Sequence, residues 1–208
     1  MPRRPSLTPP QLASAALDVV DRDGLAGLTM RAVATQLGVS TMGLYRYVKD
    51  RDELEALVVE TVLGEIDTDP PAPAQGASWQ DQLTVMARRL RDAVGTHPST
   101  VPLALTRRYR SQAIMRWSET VLAILATAGI HGEQRVIALR ALLAYAIGAI
   151  QLEHLGGPSG LDALAAAPGT PAAGDFPLLA ESGPVANAIT RDAEFHGGLA
   201  VLLRGLAR

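Results

Sequence analysis

Leu12, Ala16, Val19 and Val20 recur at helical spacing and give the stretch "TPPQLASAALDVVDRDG" a single apolar face. Thr8 as N-cap, Pro9 at the first helical position and Gln11 completing a capping box start this helix, and Gly24 is expected to stop it. A second helix from Thr29 places Met30, Val33, Ala34 and Leu37 at i, i+3, i+4 and i+7, and Gly38 then allows a tight turn. Ser40 caps a third, short helix reaching Val48, whose inner side is Leu44 and Val48. Asp50 and Glu53 form another capping box for a longer fourth helix through Leu54, Leu57, Val58 and Ile66. The prolines and glycine of residues 68–78 cannot continue it, so this stretch is the expected linker between a head, residues 1–67, and a second domain, residues 79–208.

In that second domain the pattern predicts helices over residues 79–95, 102–108, 112–128 and 133–155. The last is apolar nearly all round, which predicts burial on several sides. The small-residue stretch "GGPSGLDALAAAPGTPAAGD" reads as a loop with one helical turn at residues 161–166. A final helix from Arg191 carries Phe195, Leu199, Leu202, Leu203 and Leu206 in one stripe. No segment alternates as a strand would, so the fold class is all-α: a helix-turn-helix head of three helices joined by a longer helix to an all-helical domain.

Composition narrows the chemistry. With 208 residues and 48% apolar content the chain can bury a substantial core. The absence of cysteine removes disulfides, thiolate metal sites and a cysteine nucleophile. The N-terminus has no apolar run behind its arginines and does not read as a secretory signal. Residues 136–152 are interrupted by Arg140 and fall short of the roughly 20 residues a bilayer span needs, so a cytoplasmic protein with no membrane partner is expected. His97, His131, His154 and His196 include no pair at i, i+4, and no glycine-rich phosphate loop, serine elbow or paired carboxylates occur. No metal, no cofactor and no enzymatic activity are expected. Charge is unevenly placed: residues 1–51 hold seven basic and four acidic side chains, so a head carrying +3 sits on a remainder of −5 within a total of −2. Arg3 and Arg4 read either as a minor-groove arm or as a frayed terminus.

The segment "LGVSTMGLYRYVKDRDEL" gathers two of the four tyrosines beside Arg46 and Lys49. Helix, glycine turn and helix form a helix-turn-helix, whose second helix enters the major groove and reads base edges with its first residues. With Leu44 and Val48 turned inward, Thr41, Met42, Tyr45 and Arg46 are left to face DNA. The tyrosine hydroxyls suit phosphate oxygens while their rings suit sugar or a thymine methyl, Lys49 adds charge at the next helix's start, and Arg46 suits either a guanine or a phosphate.

The run "GLAGLTMRAVATQLGVSTMGLYRYVKDRDELEALV" resembles the DNA-binding region of the TetR (tetracycline-repressor) family of bacterial transcription regulators. The resemblance implies DNA contacts at Arg31, Thr41, Met42, Gly43, Tyr45, Tyr47 and Lys49, though Arg46-Tyr47 departs from the histidine or phenylalanine that many members carry second; Thr29, Ser40 and Arg46 join the candidates from their places in the motif. "HPSTVPLALTRR", "LRALLAYAIGAIQLEHLG" and "DAEFHGGLAVLLRGLAR" are similar to the C-terminal domain of the tetracycline-repressor branch. This implies a homodimer built through Leu142, Leu143, Ile147, Ile150, Leu199, Leu202, Leu203 and Leu206, and a small-molecule effector pocket for which Leu103, Thr106, Arg107 and Glu153 are candidates; Met86, Trp117 and Tyr145 read equally as the lining of a cavity between helices or as core. Leu103 stands near the position of that branch's magnesium-binding histidine and cannot ligate. The expected function is a regulator, typically a repressor, bound to a palindromic double-stranded operator and released by its effector. Release would change the spacing of two recognition helices that must match grooves about 34–36 Å apart. A ligand-binding scaffold that has lost DNA binding is the alternative, and a helical enzyme the remaining one.

Overall fold

The computed structural model describes residues 7–72, 76–154 and 176–206, which contain ten α-helices and no strand. The chain divides into two compact units, Met1–Gly129 and Ile130–Arg208. Arg3, Arg4 and the helical turn expected at 161–166 lie outside the described residues.

The first unit opens with α1 (Pro9–Gly27), started by the predicted capping box: the Thr8 side chain accepts the Gln11 N–H and the Gln11 side chain accepts the Thr8 N–H. Gly24 kinks this helix instead of ending it. Its φ of 70° breaks the regular ladder, one more turn follows, and that turn delivers Leu28 to a fully buried position. Helix α2 (Met30–Gln36) is capped by Thr29, whose Oγ1 accepts the Ala32 N–H at 3.1 Å. Gly38, at φ 65°, then turns the chain into α3 (Thr41–Leu44), capped by Ser40. The regular helix is shorter than the expected reach to Val48. It relaxes into turns in which the Tyr47 and Val48 N–H groups both donate to the Leu44 carbonyl, and Val48 is still buried.

Helix α4 (Arg51–Gly64) uses the two predicted capping residues with one change of partner. Asp50 accepts the Glu53 N–H at 3.0 Å, but the Glu53 carboxylate accepts the N–H of Lys49, at 2.7 Å, rather than that of Asp50. Val19, Val20, Leu28, Val33, Leu44, Leu54 and Val58 form the buried centre of this region.

Just beyond α4, residues 67–69 are tied down on two sides. The Thr120 hydroxyl donates to the Thr68 carbonyl at 2.7 Å, and Arg89 donates to the carbonyls of Asp67 and Asp69. The compact unit continues through α5 (Trp79–Gly95), α6 (Val101–Arg107) and α7 (Gln112–Thr127). Helix α5 begins at a Ser78–Asp81 capping box, and its Met86 carbonyl accepts the Trp117 indole N–H at 2.8 Å between fully buried side chains.

The second unit contains α8 (Gly132–His154), α9 (Pro177–Ala188) and α10 (Arg191–Leu206). Helices α8 and α10 pack together, burying Ala138, Leu142, Ala146 and Ile150 with Phe195, Leu199 and Leu203. The Tyr145 hydroxyl donates to the Phe195 carbonyl at 2.8 Å, directly over Gly198. Helix α9 was not anticipated by the pattern because Pro177, Gly183 and Pro184 are all turn signals; Pro177 instead occupies the first turn, where its missing N–H costs nothing. Helix α8 departs from its expectation too. Within one chain it is buried along a single stripe of residues spaced by four, while Val136, Ile137 and Leu152 are exposed. By length and hydropathy it meets the composition of a membrane span, a weak sign that the core helix of a soluble protein shares.

Candidate nucleic-acid interface

The head presents its polar residues unequally, and the inequality follows from which of them have partners. Arg22 is engaged by Asp23 and Gln36, and Arg51 by Glu55 and the Leu25 carbonyl. The Arg31, Arg46 and Lys49 side chains form no ion pair or side-chain hydrogen bond among the described residues. All three are exposed. Unpaired cations of this kind are free to replace the counterions of a polyanion.

The same segment holds a group of exposed large apolar side chains: Met42 at 77%, Tyr45 at 48% and Tyr47 at 40%. Leu44 and Val48 between them are buried, so this turn is fixed to the core while its neighbours stand out from it. Thr29 and Ser40, both exposed, cap α2 and α3 with their side-chain oxygens and so shape the motif. Thr41 is half-buried and Gly43 leaves the middle of α3 bare. A Cβ at Gly43 would come within 3.2 Å of the Ser40 hydroxyl oxygen, so glycine keeps that cap tight.

Sequence reasoning did not foresee a second constellation. Arg107, from the end of α6, donates from one Nη2 to Asp52 Oδ1 and to Glu55 Oε2, each at 2.6 Å. This contact holds the Asp52 carboxyl below its ordinary range and raises the Arg107 guanidinium in turn. Beside it runs a groove of about 710 Å³ lined by Lys49, Asp50, Glu53, Glu60 and Arg110 over Ala56 and Val59. His97 bridges Asp21 of α1, at 2.7 Å from Nδ1, and Glu65 at the end of α4, at 3.6 Å from Nε2. Pairs 32 to 76 residues apart leave no trace in local periodicity.

The expected effector residues are distributed over both units. Met86, Leu103 and Trp117 are buried in the first; Thr106 is exposed and donates back to the Pro102 carbonyl; Arg107 is engaged with α4 as described. Tyr145 and Glu153 belong to the second unit, where Tyr145 donates to α10 and the Glu153 carbonyl accepts from Arg191 at 2.8 Å. Of the expected dimer residues, Leu142, Ile150, Leu199 and Leu203 are already buried within the single chain, and Leu143, Ile147, Leu202 and Leu206 remain partly open.

Known proteins add the wider context. Residues 12–56 match the family described as bacterial regulatory proteins, tetR family, and residues 72–208 match the tetracyclin repressor-like C-terminal domain. An HTH-type transcriptional regulator of Saccharopolyspora erythraea is 33% identical over 152 residues, 73% of this chain and 63% of that protein, so the chain spans less than two thirds of that relative's length. The class A tetracycline repressor from transposon 1721 in Escherichia coli is 29% identical over 97% of this chain and 91% of its own. Among solved structures, the Streptomyces coelicolor TetR family protein ActR, in complex with (S)-DNPA, superposes with a TM-score of 0.79 at 28% identity, covering 98% of each chain. With a helix-turn-helix head that exposes Arg31, Arg46 and Lys49, and with family matches over both parts of the sequence, the chain belongs to the TetR family of bacterial regulatory proteins.

Proposed function

We propose that this chain is a cytoplasmic, non-enzymatic transcriptional repressor that binds a palindromic DNA operator as a homodimer and leaves it when a small molecule binds the C-terminal domain. The observation that carries the reading is the group of unpaired cations, Arg31, Arg46 and Lys49, around a short segment exposing Met42, Tyr45 and Tyr47. Cations held by carboxylates lose little by staying in water, whereas these three gain partners only when an anion arrives. The relative from Saccharopolyspora erythraea is called a transcriptional regulator, and ActR was solved with a bound small molecule, both consistent with a ligand-released DNA binder.

The Arg107 clamp supports a route between the two activities. It joins the end of α6 to the first turns of α4, and α4 starts directly after the recognition segment. An effector that shifted α6 would therefore bear on the tilt of the head.

The reading is tested by replacing Arg31, Arg46 and Lys49 together with alanine and measuring binding to a duplex of the upstream region at several salt concentrations. The expected result is loss of affinity together with a salt slope lower by about one per phosphate contact removed. Unchanged affinity and slope would reject the interface.

A further inference from the structure

We infer that Met42 reads the 5-methyl group of a thymine in each half of the operator. The inference rests on the proposal that the head binds DNA and deepens it by assigning a base. Met42 is the most exposed of the large apolar side chains among the described residues and makes no use of the protein core. It is the second residue of α3, and the residues around it contribute little beside it: Thr41 is half-buried, Gly43 has no side chain and Leu44 is fully buried. The start of the recognition helix is the part that reaches base edges, so Met42 is the side chain this turn brings to the groove floor.

Its chemistry then limits what it can recognise. A thioether donates nothing and accepts weakly. Set against the amino, carbonyl or ring-nitrogen groups of a major-groove edge, it would strip their water and return at most one weak hydrogen bond, from an amino group. The one apolar group that the major groove displays is the thymine methyl, against which an apolar side chain gains by removing both from water. Three rotatable bonds let methionine find that methyl without a fixed approach angle. The rings of Tyr45 and Tyr47 are apolar too, but they lie beyond the end of α3 and stand out less than Met42, and their hydroxyls suit phosphate, while Arg46 carries a guanidinium fork.

The test begins by selecting tight duplexes from a randomised library with the full chain, then resynthesising the best with each thymine replaced singly by deoxyuridine, which removes only the methyl. Binding is measured for the wild type and for Met42→Ala. In the wild type, one thymine per half-site should respond to the replacement with about fourfold weaker binding, the loss that burial of one methyl-sized group predicts. In Met42→Ala the same replacement should have no further effect, and the salt slope should match the wild type, because no cation has changed. A selected duplex that tolerates every replacement, or a sensitive thymine that stays equally sensitive in Met42→Ala, would overturn the assignment while leaving the DNA-binding reading intact. Failure of the library to yield any sequence bound in preference to the starting pool would overturn both.

Discussion

What separates Arg46 from Arg51, five residues on, is a carboxylate: Glu55 accepts from Arg51 at 2.9 Å, and nothing among the described residues accepts from the side chain of Arg46. A guanidinium already paired contributes little when a phosphate is offered, since one anion is exchanged for another. Arg46→Ala is therefore expected to weaken specific DNA binding at least tenfold, whether it loses a guanine or a phosphate, and Arg22→Ala, on a residue paired with Asp23, to change it less than twofold. Fluorescence anisotropy on one duplex compares the two, and equal losses would contradict the distinction. The residue types at this site were legible in the sequence, because Gly38, the Ser40 cap and the inward Leu44 and Val48 sit at spacings that few other structures require. Which cations are free was not legible. It depends on where Glu55 and Gln36 fall in space, a question the spacing of Arg51 and Arg22 does not answer.

Elements show the same division. Caps marked the starts of α1, α3 and α4, because a cap needs only residues close in sequence: Thr8 with Gln11, Ser40, and Asp50 with Glu53. Helix α9 escaped notice because proline and glycine, read locally, signal turns even where the first proline opens a helix. Contacts between helices were beyond reach, and two of them can be tested. A methyl added at Gly198 would meet the Tyr145 hydroxyl and lie 2.9 Å from ring carbons Cε2 and Cζ. Tyr145 cannot move aside without giving up its bond to the Phe195 carbonyl, so Gly198→Ala should destabilise the protein by about 1–3 kcal/mol in urea unfolding. A neutral result would show that the α8–α10 approach is looser than described.

The Arg107 clamp has a pH signature. Asp52 is held below its ordinary 3.8 by the hydrogen bond from Arg107, so the pair contributes fully above about that pH and loses its contribution as pH falls through the lower folded-state value. Arg107→Ala should therefore lower the thermal midpoint at pH 7 and narrow its gap from wild type on acidification toward pH 3. A gap that stays constant with pH would mean that the clamp's charge is not what stabilises it.

At the scale of the whole molecule, the apolar surface is the feature that one chain leaves unresolved. Helix α8 exposes Val136, Ile137 and Leu152, α10 exposes Val201, and Leu143, Ile147, Leu202 and Leu206 are only partly covered. Helices with apolar residues all round are covered by something in the working protein, and a second copy supplies a matching face by symmetry. Ile147→Glu combined with Leu202→Glu should convert a dimer to a folded monomer in sedimentation; a dimer that persists would place the interface elsewhere. A dimer also matters for reading DNA, because one head offers few phosphate contacts and two heads on a palindrome double them.

The central claim, that this chain reads DNA with its head, is tested most directly by titrating the full chain onto a duplex of its own upstream region and onto a scrambled duplex of equal length and composition, at several salt concentrations. The account predicts a clear preference for the upstream duplex and affinity for it that falls steeply as salt rises. Equal binding to both, or binding to either that salt leaves unchanged, would contradict it.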